Sequence, residues 1–215
     1  MTSLEKFGKA CYFGVTILFL FALNGCMSMR NAERHDTSTP FVKAQFDGRT
    51  IAVLPVSEGK IYTSMATEST RNLKIAINEE IDKKIAKLIP SAKVLTFKDT
   101  ATTLNDLSKL SLLEDLFKTY EVTGSYDKKA VDALCDTLKA DYLVVSKITV
   151  GKMDASIIMK AVQSTLDTAI VSKQTKDVVW GGSGSYKKGG TLGFGGSEDK
   201  DVARELVELA FSKYE

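Results

Sequence analysis

The two side chains best suited to nucleophilic or acid–base catalysis are His35 and Cys135, and their sequence contexts argue against that chemistry. His35 is the only histidine and lies in a polar stretch without periodicity, so a Ser-His-Asp or Cys-His mechanism would borrow its base from a flexible segment. Cys135 belongs to a stripe with Val131, Leu134 and Leu138, whose spacing predicts one buried helix face. We therefore expect Cys135 to be a small core side chain.

Metal and acid–base sites are disfavoured on similar grounds. A structural zinc site needs several His or Cys ligands, and the predicted domain (50–215) offers Cys135 alone. Paired carboxylates occur at Glu79–Glu80 and Glu114–Asp115, but adjacent helical residues point in different directions and lysines lie within a turn of each pair. These pairs predict a solvated charged face. We expect no enzyme, no metal and no cofactor.

The segment 181–196 holds eight of the fifteen glycines and resembles a phosphate loop only in composition. A Walker loop needs Lys and then Ser or Thr directly after its last glycine, with a helix starting there, and the dinucleotide pattern G-x-G-x-x-G does not occur. Two interpretations remain, a mobile exit from a hairpin and a partner-binding loop. The loop residues that could contact a partner are Tyr186, Lys187, Lys188, Leu192 and Phe194.

The first 25 residues have the pattern of a secretory leader. Lys6 and Lys9 form a basic start, and the apolar run 11–23 is too short for a membrane span, which needs about 20 residues. Leu23, Asn24, Gly25 and Cys26 then resemble the lipobox of bacterial lipoproteins, with Asn24 in place of the usual Ala or Ser. That resemblance implies cleavage before Cys26, a diacylglycerol thioether on its sulfur, and acyl chains such as palmitate. The alternatives are an ordinary signal peptide with a chance cysteine and an uncleaved anchor.

Charge and cysteine content limit the partners. The formal net charge is +2, and basic and acidic residues alternate along the chain, so neither nucleic acid nor an acidic lipid surface is indicated as a partner. Of the three cysteines, Cys11 lies in the leader and Cys26 at the anchor, which leaves Cys135 without an intrachain disulfide partner.

The chain divides into three parts: a lipoprotein signal peptide (1–25), a flexible tether (26–49) whose later part could dock, and a single α/β domain of periplasmic type (50–215). Hydrophobic periodicity predicts the element order β-α-β-α-α-β-β-β-α. These elements are a strand at 51–56, a helix at 68–88, a strand at 93–97, a helix capped at Thr103 that runs through Tyr120, a helix at 127–138, strands at 140–150, 158–170 and 178–180, and a helix after Ser197. The fold class is α/β (α+β), with a single mixed β-sheet and flanking helices.

Three short motifs resemble a superfamily of bacterial envelope lipoproteins that includes the penicillin-binding-protein activator lipoprotein and the curli secretion-channel lipoprotein. The opening strand 51–55 matches, 138–149 is similar to the family's Leu-Gly-Ala-Asp-Tyr strand, and 175–180 is similar to its Thr-Gly-Glu-Val-Val-Trp turn. Lys139 and Lys176 stand where the family has glycines. The resemblance implies the fold and supplies no catalytic residue.

Together these features predict a lipoprotein held at the membrane through Cys26, whose domain binds another envelope protein as an assembly or regulatory factor. The alternative is a structural subunit of an oligomeric envelope complex, such as a secretion or motility ring, in which the chain forms a homo-oligomer. Met27 after the anchor resembles the outer-membrane sorting signal of enteric-type bacteria. We therefore expect the domain on the outer membrane, facing the periplasm.

Overall fold

The computed structural model describes residues 29–34, 42–61, 67–154, 159–191, 199–212 and 214. Its strands are β1 (Met29–Arg34), β2 (Thr50–Val53), β3 (Ser57–Ile61), β4 (Lys93–Leu95), β5 (Tyr142–Asp154), β6 (Met159–Ser172) and β7 (Val178–Thr191). Its helices are α1 (Thr67–Leu88), α2 (Phe97–Asp106), α3 (Ser111–Thr123), α4 (Lys128–Leu138) and α5 (Asp199–Phe211), with a 3-10 turn at Lys43–Phe46. In this part of the chain, no helix is both long and apolar enough to cross a membrane.

All of these strands form one mixed sheet, as predicted, and the fold is α+β. The strand order is β1-β7-β6-β5-β2-β4, with β3 also paired to β5. The pairs among β1, β7, β6 and β5 are antiparallel, whereas β2 is parallel to both β4 and β5, and β3 is parallel to β5. The sheet therefore joins an antiparallel half to a parallel half at β5.

Strands β2 and β3 follow one another along the same side of β5, and Pro55 separates them. Leu54 N–H still donates to the Val144 carbonyl at 3.0 Å, but proline has no N–H with which to continue the ladder. The next donor, Val56 N–H, is satisfied by the buried side chain of Asn78 on α1 at 3.0 Å. The predicted end of the strand near Pro55 is confirmed.

Helices α1 and α5 cover one face of the sheet. The α1 residues Leu73, Ile77, Ile81 and Ile85 recur every fourth position and are all buried there, as predicted. Trp180 of β7 is also fully buried on this face and stacks on Phe211 of α5, with ring centroids 4.9 Å apart.

Helices α2, α3 and α4 form the layer on the opposite face. Their buried residues pack on Ala52 of β2, on Leu54 directly after it, and on Leu143 and Val145 of β5. Cys135 of α4 is fully buried in this cluster, which confirms its predicted structural role.

The predicted helix through 103–120 is wrong in its start and its continuity. Helix α2 begins after Thr96, whose hydroxyl accepts the Asp99 N–H while the Asp99 carboxylate accepts the Thr96 N–H, a complete capping box. The chain then breaks at Ser108, which has a positive φ of 53°, before α3 starts at Ser111. The Thr96 cap also ends β4 at Leu95, two residues earlier than predicted.

The glycine-rich segment is also different from its prediction as a loop. Residues 181–191 belong to the 14-residue strand β7, which lies inside the sheet between β6 and β1. The glycines are explained by the close approach of α5. A Cβ on Gly182 would lie 2.2 Å from the Ala210 carbonyl oxygen, and a Cβ on Gly184 would lie 2.5 Å from the Leu206 carbonyl oxygen. Glycine is required there for close packing of a helix on a strand.

Two parts of the segment assigned to the tether take part in the fold. Met29–Arg34 forms the edge strand β1, antiparallel to β7. Phe46 is fully buried and makes an edge contact with Tyr142, with ring centroids 4.7 Å apart. The first described strand thus begins three positions after Cys26.

Candidate functional site

The cysteine and the paired carboxylates considered in the sequence analysis lie in surroundings that suit packing and surface charge better than catalysis. Burial raises the pKa of the Cys135 thiol to about 12, so the nucleophilic thiolate is scarce at neutral pH. Glu79 pairs with Lys98 at 3.3 Å and Glu80 pairs with Lys83 at 2.6 Å, whereas Glu114 and Asp115 are exposed. The carboxylate pairs therefore form the charged helix faces that were predicted. His35 lies outside the described residues.

One carboxylate with a perturbed pKa was not predicted. Burial raises the pKa of Asp82 on α1 to about 6, even though its carboxylate accepts the Phe97 N–H at 3.0 Å. That hydrogen bond ties α1 to the first turn of α2. A raised pKa is a signature of active sites, but here it accompanies a helix-to-helix contact.

A polar cleft of about 370 Å³ lies at the end of the sheet where the motifs 138–149 and 175–180 meet. We call this the motif end. Asp141 is its centre: one carboxylate oxygen accepts the Thr50 N–H at 2.9 Å, and its carbonyl accepts the Lys173 N–H at 2.9 Å. Asp141 thus joins β2, β5 and the β6–β7 turn. The residues that line the cleft are Arg49, Asp141, Tyr142, Ser172, Lys173, Gln174 and Lys176.

The cations of the cleft are paired with carboxylates. Arg49 lies 3.7 Å from Asp141, and Lys173 lies 2.6 Å from Asp136. Lys176 pairs with Asp132. Because an anion would have to displace these partners, the cleft offers weak electrostatic attraction. Its geometry maintains the β6–β7 turn.

A second site appears where the α2–α4 layer ends halfway across the sheet. In the part of the chain that the structure describes, these helices pack mainly on β2 and β5 and reach β6 and β7 at Val171 and Val178, whereas most helix contacts of β7 and β1 come from α5 on the other face. We call the resulting step the ledge. Its wall is the last turn of α3, which carries Tyr120, Glu121 and Val122, together with Tyr126, which stacks on Tyr120. Its floor consists of Lys147, Thr149, Thr165, Asp167, Ser183, Ser185, Asn31 and Glu33.

Wall and floor are linked by charge and by aromatic packing. Lys147 donates to the Glu121 carboxylate at 3.0 Å, and Lys147 and Asp167 are register partners on β5 and β6. Tyr120 stacks on Tyr126 with centroids 4.6 Å apart. Burial, and to a lesser degree the charge of Asp167, raises the pKa of Tyr120, which keeps its hydroxyl protonated.

The ledge has the composition of a recognition surface. Val122, in the last turn of α3, is 85% exposed although it is apolar. On the floor, Thr165 and Ser185 exchange a hydrogen bond of 2.9 Å between β6 and β7. Tyrosine is enriched in protein interfaces, and polar rims with satisfied hydrogen bonds are typical of reversible ones. Sequence reasoning missed the ledge because it depends on where a helical layer stops.

The residues of the predicted partner-binding loop are separated by the strand. Tyr186 packs against the core on the α5 side, whereas Lys187, one position along β7, belongs to the opposite face. Lys188 is placed by its backbone in β7, opposite Val162. Leu192 and Phe194 lie outside the described residues, as do Leu23, Asn24, Gly25 and Cys26.

No family model matches the chain. No curated protein matches it either. Among solved structures it is similar to the PelC dodecamer from Paraburkholderia phytofirmans, at 13% identity over 86% of this chain and 96% of that chain, with a TM-score of 0.42. It is also similar to lipoprotein GNA1162 from Neisseria meningitidis, at 14% identity over 77% and 97%, with a TM-score of 0.41.

A further neighbour is the LpoB C-terminal domain from Escherichia coli, at 11% identity over 65% of this chain and 83% of that chain, with a TM-score of 0.37. One of these neighbours, GNA1162, is named as a lipoprotein. At such identities and scores the likeness concerns the fold. Sites and partners have to be argued from this chain's own residues.

Proposed function

We propose that this chain is a non-enzymatic lipoprotein, held on the outer membrane through lipid on Cys26, whose domain binds another envelope protein as an assembly or regulatory factor. The anchor is supported by the basic start, the apolar run 11–23 and the sequence Leu23-Asn24-Gly25-Cys26. Two or more acyl chains suffice for stable anchoring, because each buried methylene contributes about 0.8 kcal/mol.

The ledge is the observation that supports protein binding. A sheet face is normally covered, and among the described residues most of the helix packing on this face lies over β2 and β5 and little of it over β7 and β1. Its floor is polar and its wall carries two stacked tyrosines beside an exposed valine. Such a surface suits a partner that associates and dissociates, because permanent interfaces are more apolar.

The floor also limits the kind of partner. Short hydroxyl side chains alternate with the charges of Lys147, Asp167 and Glu33, so the floor can donate and accept hydrogen bonds but offers little apolar area. The apolar contribution has to come from the wall. We expect the partner to present a polar surface to the floor and an apolar or aromatic side chain to Val122 and Tyr120.

Site-specific crosslinking in living cells tests this proposal. A photo-crosslinking residue at Thr165 on the floor should capture one defined envelope protein, and the same residue at the exposed Lys87 on α1 should not. Val122→Ser should reduce capture from Thr165 at least several-fold. The matched control is Leu110→Ser, which removes another exposed apolar side chain at the opposite end of α3.

Several outcomes of this experiment are informative. Equal capture from Thr165 and Lys87 would contradict docking at the ledge. Capture of a second copy of this chain, together with a multimeric mass of the mature protein in light scattering, would favour the ring-subunit alternative.

Replacing Leu192 and Phe194 with Ser tests the segment after β7, and we expect weaker partner capture with unchanged thermal stability.

A further inference from the structure

The distance between the proposed lipid site and the sheet is short. Strand β1 begins at Met29, three residues after Cys26. Three extended residues span at most about 10 Å. Met29 is the register partner of Lys187 on β7, so the Lys187 row of the sheet cannot lie far from the membrane that holds Cys26.

The three longest strands continue past that row in the same direction. Strand β7 runs on from Lys187 to Thr191, and β6 and β5 reach the same level at Met159 and Asp154. Four residues of strand add about 13 Å, which is comparable with the reach of the linker. We call this part the strand tip and define it as 151–154, 159–163 and 187–191.

The strand tip concentrates positive charge. It contains Lys152, Lys160, Lys187 and Lys188 against Asp154, a formal charge of +3 in a chain whose formal net charge is +2. Along the sequence only Lys187 and Lys188 are adjacent, and the overall charge balance gives no indication of an acidic partner. The register of β5, β6 and β7 brings them to one end of the sheet.

We propose that the strand tip lies on the phosphate headgroups of the bilayer that carries the lipid on Cys26. This inference rests on the lipid anchoring proposed above. Lysines near an anionic bilayer surface are attracted within about one Debye length, roughly 8 Å at physiological ionic strength. The acyl chains hold the protein on the membrane, and the lysines select which end of the sheet faces it.

This orientation has a consequence for the ledge. Asp167 on the floor lies four residues along β6 from Gln163, or about 13 Å further from the membrane. Ser172 at the motif end lies nine residues from Gln163, about 30 Å away. The ledge would therefore be presented sideways, at a fixed height above the headgroups, and the motif end would point away from the bilayer.

Lysine acylation on vesicles tests the orientation with the native side chains. The mature chain from Cys26 is coupled through the Cys26 thiol to a maleimide lipid, because the buried Cys135 does not compete. Vesicles contain either phosphatidylglycerol or phosphatidylcholine alone. On phosphatidylglycerol, we expect acylation of Lys187, Lys188, Lys152 and Lys160 to slow several-fold relative to the same protein free in solution. Lys128 and Lys129, exposed at the start of α4, should react at an unchanged rate.

Neutral vesicles and charge variants show whether the protection from acylation comes from electrostatic attraction to the headgroups or from the lipid tether alone. Protection should be weaker on phosphatidylcholine and in 0.5 M NaCl, and the pair Lys187→Gln with Lys188→Gln should reduce the protection of Lys152 and Lys160. The matched pair Lys128→Gln with Lys129→Gln should leave that protection intact. Equal acylation at both ends of the sheet, preferential protection of Lys128 and Lys129, or equal protection on both lipids would overturn the proposal.

Docking of the strand tip and lipid anchoring through Cys26 can be tested independently. The artificial lipid tether decides whether the strand tip docks, whatever the cell does to Cys26. The mass of the protein isolated from cell envelopes decides whether Cys26 carries lipid. An unmodified Cys26 would overturn the anchoring while leaving the acylation pattern to be judged by itself.

Discussion

The two ends of the sheet use charge in different ways. At the motif end, Arg49, Lys173 and Lys176 each have a carboxylate partner, and the Asp141 side chain also accepts a backbone N–H. At the strand tip, the register gathers four lysines and one aspartate. Paired charges hold a turn in place, whereas an excess of one sign is available to an external surface. The comparison separates a part of the molecule that serves stability from one suited to binding.

The largest expected effect is on localisation and concerns the strand tip. Cys26→Ala should release the protein from membranes into the soluble fraction, because the lysines alone are too few to retain it. Fractionation at high salt with immunodetection measures this. A Cys26→Ala protein that still sediments with membranes would show that another element anchors the chain.

The second effect concerns the motif end. Asp141→Ala should lower the free energy of unfolding by about 1.5 kcal/mol, because Thr50 N–H loses its acceptor. Asp141→Asn retains a carbonyl oxygen for that hydrogen bond and should cost less. Lys188→Ala at the strand tip should change stability by less than about 0.5 kcal/mol. Urea denaturation measures all three, and a larger loss for Lys188→Ala than for Asp141→Ala would reverse the comparison.

A pH experiment tests a third region, the contact between α1 and α2 at Asp82. The pKa of Asp82 is raised to about 6 in the folded protein, above its ordinary value of 3.8. The folded state therefore binds the proton more tightly, and the stability that Asp82 contributes is present at low pH and is lost as the pH rises through about 6.

Asp82→Asn should therefore stabilise the protein at pH 7 by about 1 kcal/mol, after allowance for solvent screening of a half-exposed carboxyl. It should also flatten the rise in stability between pH 7 and pH 5, while the amide oxygen still accepts the Phe97 N–H. Thermal unfolding at both pH values measures this, with Glu79→Gln as the control. An unchanged pH dependence in Asp82→Asn would assign it to another group.

The smallest effect tests the backbone of the motif end. Lys139 ends α4 with a φ of 50°, and Lys176 has a φ of 62° in the β6–β7 turn, both in the left-handed region. These are the two positions at which the superfamily has glycine. Lys139→Gly should stabilise the protein by about 0.5–1 kcal/mol, because glycine adopts this conformation without strain. Lys139→Ala keeps the Cβ and should not stabilise. Equal effects of the two substitutions would point to the lost charge instead.

Helices and strands with a strong local periodicity could be predicted from the sequence. The stripe of α1 and the β-branched run of β5 each have the spacing of a single element, and both form as expected. The start of α2 could also have been found, since Thr96 and Asp99 have capping-box spacing as good as that of Thr103 and Asp106. What decided between them was the contact of Phe97 with Asp82, which is long-range.

The remaining features depend on contacts distant in sequence. Glycine and serine normally indicate turns, so the composition of 181–191 predicts a loop. The segment is instead part of β7, and α5 packs closely against Gly182 and Gly184. Strand β1 is mostly polar and has no hydrophobic alternation, in keeping with its position at the sheet edge. The ledge follows from the extent of one helical layer, and the charge of the strand tip follows from strand register. Neither has a local pattern.

Trp180 gives the protein an intrinsic optical reporter. It is the only tryptophan in the chain, it is fully buried, and it stacks on Phe211 of α5. Its emission should therefore be blue-shifted while α5 is packed on β7 and should move to longer wavelength when that helix detaches. Fluorescence of the unlabelled protein can thus follow the integrity of the covered sheet face during partner binding or vesicle attachment.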